Sequence, residues 1–204
     1  MTPTDRPALP QRRHLLQAAA ALAVQGMLPT AQAHGASGRV TPPLTPPGAW
    51  RLRMNDGRDV GAASVLQGRV TALQLMFTGC SAICPIQGAL FAELERRVIA
   101  APALASSVQL LSLSIDPLGD DPRALGQWLQ RFGAGAAWRA ASPAVRDLDP
   151  WLDFLQGRKS GADRHTAQVY LFDRAGRLVM RTVDFPTTAE VTRLLGELSV
   201  AREG

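Results

Sequence analysis

Residues 70–85 read VTALQLMFTGCSAICP, and this stretch decides the fold. Residues 70–77 are apolar and rich in β-branched and aromatic side chains, which predicts a buried strand. Pro85 follows where the first turn of a helix accepts a residue without an N–H group. The stretch therefore predicts a strand, a turn and a helix to about Ala100, whose apolar residues recur at helical spacing: Ile86, Leu90, Phe91, Leu94 and Val98.

The two cysteines of the chain, Cys80 and Cys84, both fall in this turn. At i and i+4 their Cα atoms lie roughly 6 Å apart, within the range of a disulfide, and two soft thiolates can instead bind Cu(I). The positive end of the following helix dipole stabilises a thiolate and favours either chemistry. Buried structural cysteines are the simpler alternative, but Gly79 and Ser81 place the thiols at an element boundary, which favours reactive ones.

The first 33 residues have the pattern of an export signal. QRRHLLQ at residues 11–17 is similar to a twin-arginine signal, an apolar segment covers residues 15–28, and Ala31-Gln-Ala33 resembles a cleavage site. Sec export and a permanent membrane span are the alternatives, although the apolar segment is shorter than the ~20 residues that a span needs. We expect an exported, periplasmic protein that is soluble or tethered to the inner membrane by its N-terminus.

Composition excludes one class of partner. The chain has 22 basic and 17 acidic residues; cleavage after residue 33 removes three arginines and one aspartate, which leaves 19 and 16, a formal charge of +3. Basic and acidic residues are interspersed without a basic stripe, so we expect no nucleic-acid partner. Residues 34–48, HGASGRVTPPLTPPG, are predicted to be a linker because they are rich in proline and glycine. Residues 49–204 then form one domain.

Strand and helix patterns alternate through the rest of this domain. Residues 50–54 and 60–66 are predicted to form a hairpin, and residues 108–115 a strand. A helix capped by Asp121 is expected next, then a short strand at residues 137–141 and a helix from Ser142-Pro143 that breaks near Asp149, because Pro150 fits poorly in a helix interior.

The C-terminal part predicts a hairpin of residues 168–172 and 178–183, followed by a closing helix after the capping box Thr187-x-x-Glu190. A parallel βαβ unit with cysteines after its first strand, followed by a hairpin and a helix, is typical of an α/β, thioredoxin-like fold with a central mixed sheet flanked by helices. Ligands of such sheets collect at the carboxyl ends of the strands.

His165 is the candidate third functional residue, because it is the only histidine in the predicted domain and precedes the hairpin. In a thioredoxin-like fold, the loop that enters this hairpin approaches the cysteine turn; a solvated loop histidine is the alternative. Asp116, Asp120 and Asp121 provide too few oxygen donors for a Ca²⁺ or Mg²⁺ loop, which favours turn and cap roles.

Three motifs in this order resemble the Sco/SenC family of copper chaperones: Cys80-x3-Cys84-Pro85, Ser114-Ile-Asp116-Pro117 and Asp163-Arg-His165-Thr166. The resemblance covers about residues 48–198. It implies a thioredoxin-like, extracytoplasmic domain that binds copper through Cys80, Cys84 and His165. It further implies delivery of that copper to the dinuclear copper site of cytochrome c oxidase or to another copper enzyme. The donor set suits Cu(I), and also Cu(II) when an oxygen or nitrogen ligand is added.

The sequence departs from the family pattern at one position, and a second function is possible for the cysteine pair. The family often has a carboxylate immediately before its histidine, whereas this sequence has Arg164 there and Asp163 one step earlier. The alternative function is thiol–disulfide exchange, in which Cys80 and Cys84 are the catalytic pair that reduces the cysteines of a partner. Three residues separate the cysteines where thioredoxins have two, and the matched His165 favours metal binding over this reductase activity.

Overall fold

The computed structural model describes residues 37–160 and 164–201; the predicted export signal and Asp163 lie outside them. The strands are β1 (Gly38–Leu44), β2 (Arg51–Met54), β3 (Asp59–Gly61), β4 (Val70–Met76), β5 (Val108–Ser114), β6 (Trp138–Pro143), β7 (Val169–Phe172) and β8 (Leu178–Arg181). The helices are α1 (Ala62–Leu66), α2 (Cys84–Ala100), α3 (Pro102–Ala105), α4 (Pro122–Arg131), α5 (Leu148–Leu155) and α6 (Thr188–Val200), with a short 3₁₀ helix at Val145–Asp147. Within these described residues no helix has the length and apolar character needed to cross a bilayer.

The strands form one mixed sheet in the order β1-β8-β7-β4-β5-β6-β2-β3. Strands β4, β5 and β6 are parallel, whereas β7 runs antiparallel to both β4 and β8. Helix α2 connects β4 to β5, and α4 connects β5 to β6. The predicted α/β, thioredoxin-like architecture with a C-terminal hairpin and a closing helix is confirmed.

The core lies on both faces of this sheet. Every residue of β4 and β5 is buried, and the apolar residues of each strand are divided between two hydrophobic clusters. Ala72 packs in the cluster that contains side chains of α2, α4 and α6, whereas Leu73 packs in the cluster with α1 and α5. Because alternate side chains of a strand point to opposite faces, helices cover the central strands on both sides. This rigid centre positions the turn after β4.

The expected linker is wrong for residues 38–44, which form the edge strand β1. This strand pairs antiparallel with β8, from Gly38 opposite Arg181 to Leu44 opposite Leu178, with a register shift between. Most of its residues are exposed, so backbone hydrogen bonds rather than apolar burial order the segment. Proline is tolerated on an edge strand because one side of its backbone needs no partner. The ordered domain therefore begins before residue 49.

Three further predictions are wrong in detail. The hairpin of β2 and β3 is present, but residues 62–66 form a helical turn because Ala62, Val65 and Leu66 bury one side at i, i+3 and i+4 spacing. Strand β6 continues through Pro143, where we predicted the start of a helix. Helix α5 runs without a break through Pro150, its third residue, because first-turn N–H groups have no intrahelical partner to lose.

Gly88→Ala should destabilise the protein by about 1–3 kcal/mol, because a Cβ atom there would lie 2.4 Å from the Phe132 ring, which follows α4. Gly126→Ala is the matched control within α4, where an added Cβ meets nothing within 4 Å. It should stabilise the helix by up to about 1 kcal/mol. Urea unfolding of both variants measures these effects. Equal midpoints would show that the Phe132 ring moves aside for a Cβ atom at position 88.

Candidate metal centre

Strand β4 and helix α2 position the two cysteines at the carboxyl end of the parallel strands. The N–H group of Cys80 donates to the Phe77 carbonyl (3.1 Å), which closes the turn after β4. Cys84 is the first residue of α2 and Pro85 the second, as predicted. Cys84 is fully buried and Cys80 is 7% exposed. The turn thus holds two thiols at the N-terminus of a 17-residue helix, and only the Cys80 thiol is near the surface.

Asp120 anchors this turn to the neighbouring strand. Its buried carboxylate accepts hydrogen bonds from the Thr78 N–H group (3.2 Å), the Thr78 hydroxyl (2.6 Å) and the Ser114 hydroxyl (2.6 Å). Ser114 is the last residue of β5, and Thr78 lies two residues before Cys80. The predicted cap role of Asp121 is confirmed, since its carboxylate accepts from the Ala124 N–H group at the start of α4. The sequence pattern predicted a turn or cap role for Asp120 as well. It did not predict the hydrogen bonds that link Asp120 to Thr78 and Ser114.

The pKa of the Cys80 thiol is lowered below its ordinary value. Burial acts in the opposite direction and raises this pKa, but hydrogen bonds outweigh it. The donors are the Cys84 thiol and the backbone N–H groups of Cys84, Ala82 and Ile83. Cys80 is therefore the thiol that these donors prepare for ionisation, which is the form that attacks disulfides and binds metal.

The pH dependence of Cys80 alkylation tests this assignment. Because the pKa of Cys80 is lowered in the folded state, its alkylation rate should reach half of its maximum at a lower pH in the native protein than in urea. The same shift stabilises the fold above the unfolded-state pKa, and this stabilisation is lost as the pH falls through the folded-state pKa. Peptide-level mass spectrometry after iodoacetamide pulses gives both midpoints; a native midpoint at or above the unfolded one contradicts the assignment.

His165 lies in contact with the second cysteine. Its Nε2 atom is 3.6 Å from Cys84 Sγ, and its Nδ1 atom is 2.8 Å from the Thr166 carbonyl oxygen. Because a carbonyl only accepts hydrogen bonds, we infer that Nδ1 carries the proton and that Nε2 of the neutral ring directs its lone pair at the sulfur. An imidazole whose Nδ1 is held by a carbonyl while its Nε2 faces another donor atom is the arrangement of metal-binding histidines.

Backbone contacts fix the segment that carries this ring. His165 forms an isolated antiparallel bridge with Arg158, and the Thr166 N–H group donates to the Gly157 carbonyl (2.9 Å). The His165 side chain is fully buried. The alternative of a solvated loop histidine is therefore wrong.

The three predicted site residues form a contacting pair, Cys84 and His165, with the Cys80 thiol next to it. Within residues 37–160 and 164–201, no three histidine, cysteine, aspartate or glutamate side chains are already arranged around one metal position. The structure thus brings the predicted donors to one place in the fold.

Two further side chains, Phe77 and Arg164, lie beside the site, and neither was predicted to belong to it. Phe77 presents its ring edge-on to the His165 imidazole, with centroids 6.3 Å apart. The Arg164 guanidinium lies 5.6 Å over the same Phe77 ring, and the Arg164 backbone adopts a left-handed φ of 54°. The sequence left open which group orients the imidazole; in the structure it is the Thr166 carbonyl, a backbone group that no residue pattern reveals.

Comparison with known proteins agrees with this fold. The family model described as SCO1/SenC matches residues 41–198. The chain belongs to the SCO1/SenC family. This SCO1/SenC protein is 31% identical over 83 residues to a SCO1 protein homolog of Bacillus subtilis (strain 168), a match that covers 41% of each chain, so less than half of that relative is spanned.

Two solved structures show the same fold as this SCO1/SenC protein. Bradyrhizobium japonicum ScoI, solved with copper bound, is 22% identical with a TM-score of 0.59 and covers 80% of this chain and 99% of its own. BsSco, a member of the Sco family of cytochrome c oxidase assembly proteins in which a disulfide switch was identified, is 20% identical with a TM-score of 0.62. That match covers 81% of this chain and 100% of BsSco. The resemblance drawn from the three motifs is confirmed.

Proposed function

We propose that this SCO1/SenC protein binds copper through Cys80, Cys84 and His165 and delivers it to a copper enzyme outside the cytoplasm. The observation that carries the proposal is the contact between Cys84 Sγ and His165 Nε2. These residues are 81 positions apart in the chain, and the ring is oriented by the Thr166 carbonyl so that its lone pair meets the sulfur. A buried thiol in contact with an imidazole nitrogen is a donor pair for a soft cation.

The donor set suits copper as cargo. Two thiolates and one imidazole satisfy Cu(I), which favours soft ligands and low coordination numbers, and Cu(II) would need an added oxygen or nitrogen donor. Delivery proceeds by ligand exchange, in which donors of the acceptor displace these ligands one at a time. Cys80 is 7% exposed whereas Cys84 and His165 are fully buried, so an incoming donor reaches Cys80 first.

The acceptor proposed here is the dinuclear copper site of cytochrome c oxidase. Support comes from membership of the SCO1/SenC family and from the description of BsSco as belonging to a family of oxidase assembly proteins. The twin-arginine-like leader at residues 1–33 supports a periplasmic location, where copper would be transferred to the oxidase.

Thiol–disulfide exchange is a second candidate function, and the lowered pKa of Cys80 favours it. The Cys80 thiolate would attack a disulfide of a partner and form a mixed disulfide, releasing one partner thiolate. The Cys84 thiolate would then attack the Cys80 sulfur, which leaves the partner fully reduced and a Cys80–Cys84 disulfide behind. Both functions use the cysteine pair, but only copper binding needs the imidazole of His165.

Titration of the reduced protein with Cu(I) against a competing chelator tests the proposal. The wild-type chain should take up one Cu(I) ion, and Cys80→Ser and Cys84→Ser should each weaken its binding, because a hydroxyl is a hard and poor ligand for Cu(I). A wild-type protein that takes no Cu(I) from the chelator contradicts the copper proposal and leaves the exchange of disulfides as the function of the cysteine pair.

A further inference from the structure

Exposed hydrophobic side chains are unevenly distributed over the described part of the chain. The large ones are Ile86, Ile99, Leu118, Val145, Phe185 and Val200. Four of them lie in segments that follow the carboxyl ends of strands: Ile86 in the first turn of α2 after β4, Leu118 after β5, Val145 after β6 and Phe185 after β8. Ile99 and Val200 instead lie at the C-terminal ends of α2 and α6.

Strand directions place those four side chains at one edge of the sheet. Strands β4, β5 and β6 are parallel, and β8 has the same direction because it is antiparallel to β7, which is antiparallel to β4. All four residues therefore follow carboxyl ends at the same edge. We call the surface formed by Ile86, Leu118, Val145 and Phe185 the carboxyl edge.

The metal centre lies within this carboxyl edge. Cys80 and Cys84 follow β4, and His165 precedes β7, whose start lies beside the end of β4 through the pairing of Val169 with Gln74. The strand order is β8-β7-β4-β5-β6, and the centre lies at the ends of β7 and β4. Phe185 follows β8 on one side of this pair, and Leu118 and Val145 follow β5 and β6 on the other. At ~4.8 Å per strand, the apolar residues span roughly 19 Å.

The carboxyl edge also contains a recess. A cavity of about 310 Å³ opens at the ends of β5 and β6; Pro117, Pro143 and Val145 line one part of it, and charged side chains that include Arg51, Arg53 and Asp59 line another. Val145 of the carboxyl edge lines this recess, and Pro117 is the chain neighbour of Leu118. A side chain of a docked protein can enter such a recess and anchor the contact.

Phe185 is held in place at a cost in backbone strain. Its φ is 52°, in the left-handed region that a bulky aromatic residue rarely adopts, and it is 47% exposed. Its N–H group donates to the Ala167 carbonyl (3.1 Å), while the Asp184 carboxylate accepts from the Ala167 N–H group (2.7 Å). Ala167 is two residues beyond His165. This strained turn therefore fixes an exposed aromatic side chain to the segment that carries the imidazole.

We propose that the carboxyl edge is the docking surface for the copper acceptor, a globular domain whose own soft ligands lie in an apolar surface. This inference rests on the proposed function. Because Cys84 and His165 are fully buried, a donor atom of the acceptor reaches them only when the acceptor closes against this edge and displaces water. Apolar side chains around the centre favour that closure.

The size of the patch favours a transient acceptor over a permanent second copy of this chain. Four partly exposed side chains offer at most roughly a few hundred Å² of apolar surface, which is the size of the largest patch on an ordinary monomer. Stable protein complexes bury about 800 Å² on each partner, so a contact centred on this patch alone is weak and short-lived. A copper chaperone has to release its acceptor after the transfer of copper, and a weak contact allows this.

Two double variants with matched exposure test the docking surface in the full chain. Leu118→Ser with Val145→Ser removes side chains that are 83% and 57% exposed at the carboxyl edge, whereas Val200→Ser with Ile99→Ser removes side chains that are 83% and 55% exposed at helix ends. The probe is the copper-free dinuclear copper domain of cytochrome c oxidase. We expect the first double variant to transfer Cu(I) to it about tenfold more slowly and the second to match the wild type, with Cu(I) affinity unchanged in both.

Complex formation between the copper-free protein and the same acceptor domain, followed by NMR titration, is measured separately. Weakened binding by the Leu118/Val145 variant alone supports the docking surface, even if the wild-type protein binds no Cu(I) and the proposed function fails. Equal transfer or equal binding by the two double variants overturns the docking surface, as does the absence of any complex with this acceptor.

Discussion

His165→Ala should lower the Cu(I) affinity of the reduced protein by about 100-fold or more while disulfide exchange by Cys80 and Cys84 largely survives. Loss of a group that only orients a metal ligand costs about 10–100-fold, and His165 is proposed as a ligand itself. The imidazole nitrogen contributes to copper binding through its lone pair, whereas attack of one thiolate on a disulfide needs no such donor. Chelator competition and a disulfide-reduction assay on the same preparation measure the two effects.

Thr166→Val is the matched control for this variant. It removes the hydroxyl that bonds to the Tyr170 hydroxyl but retains the Thr166 backbone carbonyl that holds His165 Nδ1. Its Cu(I) affinity should equal that of the wild type. If His165→Ala also keeps wild-type affinity, or if it loses disulfide exchange to the same extent, then the imidazole has no specific role in holding copper.

Asp120→Ala should lower the free energy of unfolding by about 3 kcal/mol or more, because the Thr78 and Ser114 groups that donate to its carboxylate would lose a buried, charged acceptor. The adjacent Asp121→Ala removes a carboxylate of the same kind that caps α4 at an exposed position. That change should cost about 1 kcal/mol. Urea unfolding of the two variants gives the comparison.

Asp120→Ala should also weaken Cu(I) binding. Thr78, two residues before Cys80, would lose the carboxylate that links it to Ser114 at the end of β5. Asp121→Ala leaves this anchor intact and should bind Cu(I) as the wild type does. Equal stability losses in the two variants would show that the hydrogen bonds from Thr78 and Ser114 contribute little, and the turn would then be held by its own backbone.

Much of the fold is predictable because local and tertiary preferences agree at its centre. Residues 70–76 and 108–114 are mostly apolar, as is typical of strands buried on both faces, and both form strands. Pro85, Asp121 and Thr187 mark the starts of three helices through backbone geometry or capping, which depends on a few neighbouring residues. These signals need no knowledge of the rest of the chain.

Elements at the periphery were predicted less well because their partners are remote in sequence. Residues 38–44 lack an apolar pattern and are ordered by pairing with β8, some 140 residues later. Pro150 predicts a helix break, yet the preceding 3₁₀ turn places it within the first turn of α5, where proline is compatible with a helix. Tertiary context decided both segments.

The candidate site also contains some features that the sequence predicts and others that depend on tertiary structure. Cys80, Cys84 and His165 are visible in the sequence because of their chemistry and their motifs. The Thr166 carbonyl and the apolar carboxyl edge are not, since one is a backbone group and the other joins side chains from four separate connections. Asp120 was assigned a local role because its partner Thr78 lies 42 residues away.

X-ray absorption spectroscopy at the copper edge of the Cu(I)-loaded protein, wild type beside His165→Ala, tests the shared coordination most directly. The account predicts two sulfur scatterers and one imidazole nitrogen in the wild-type protein, and loss of the imidazole signal in the variant. A wild-type spectrum with sulfur scatterers alone, identical to that of the variant, would contradict binding of one copper ion by Cys80, Cys84 and His165.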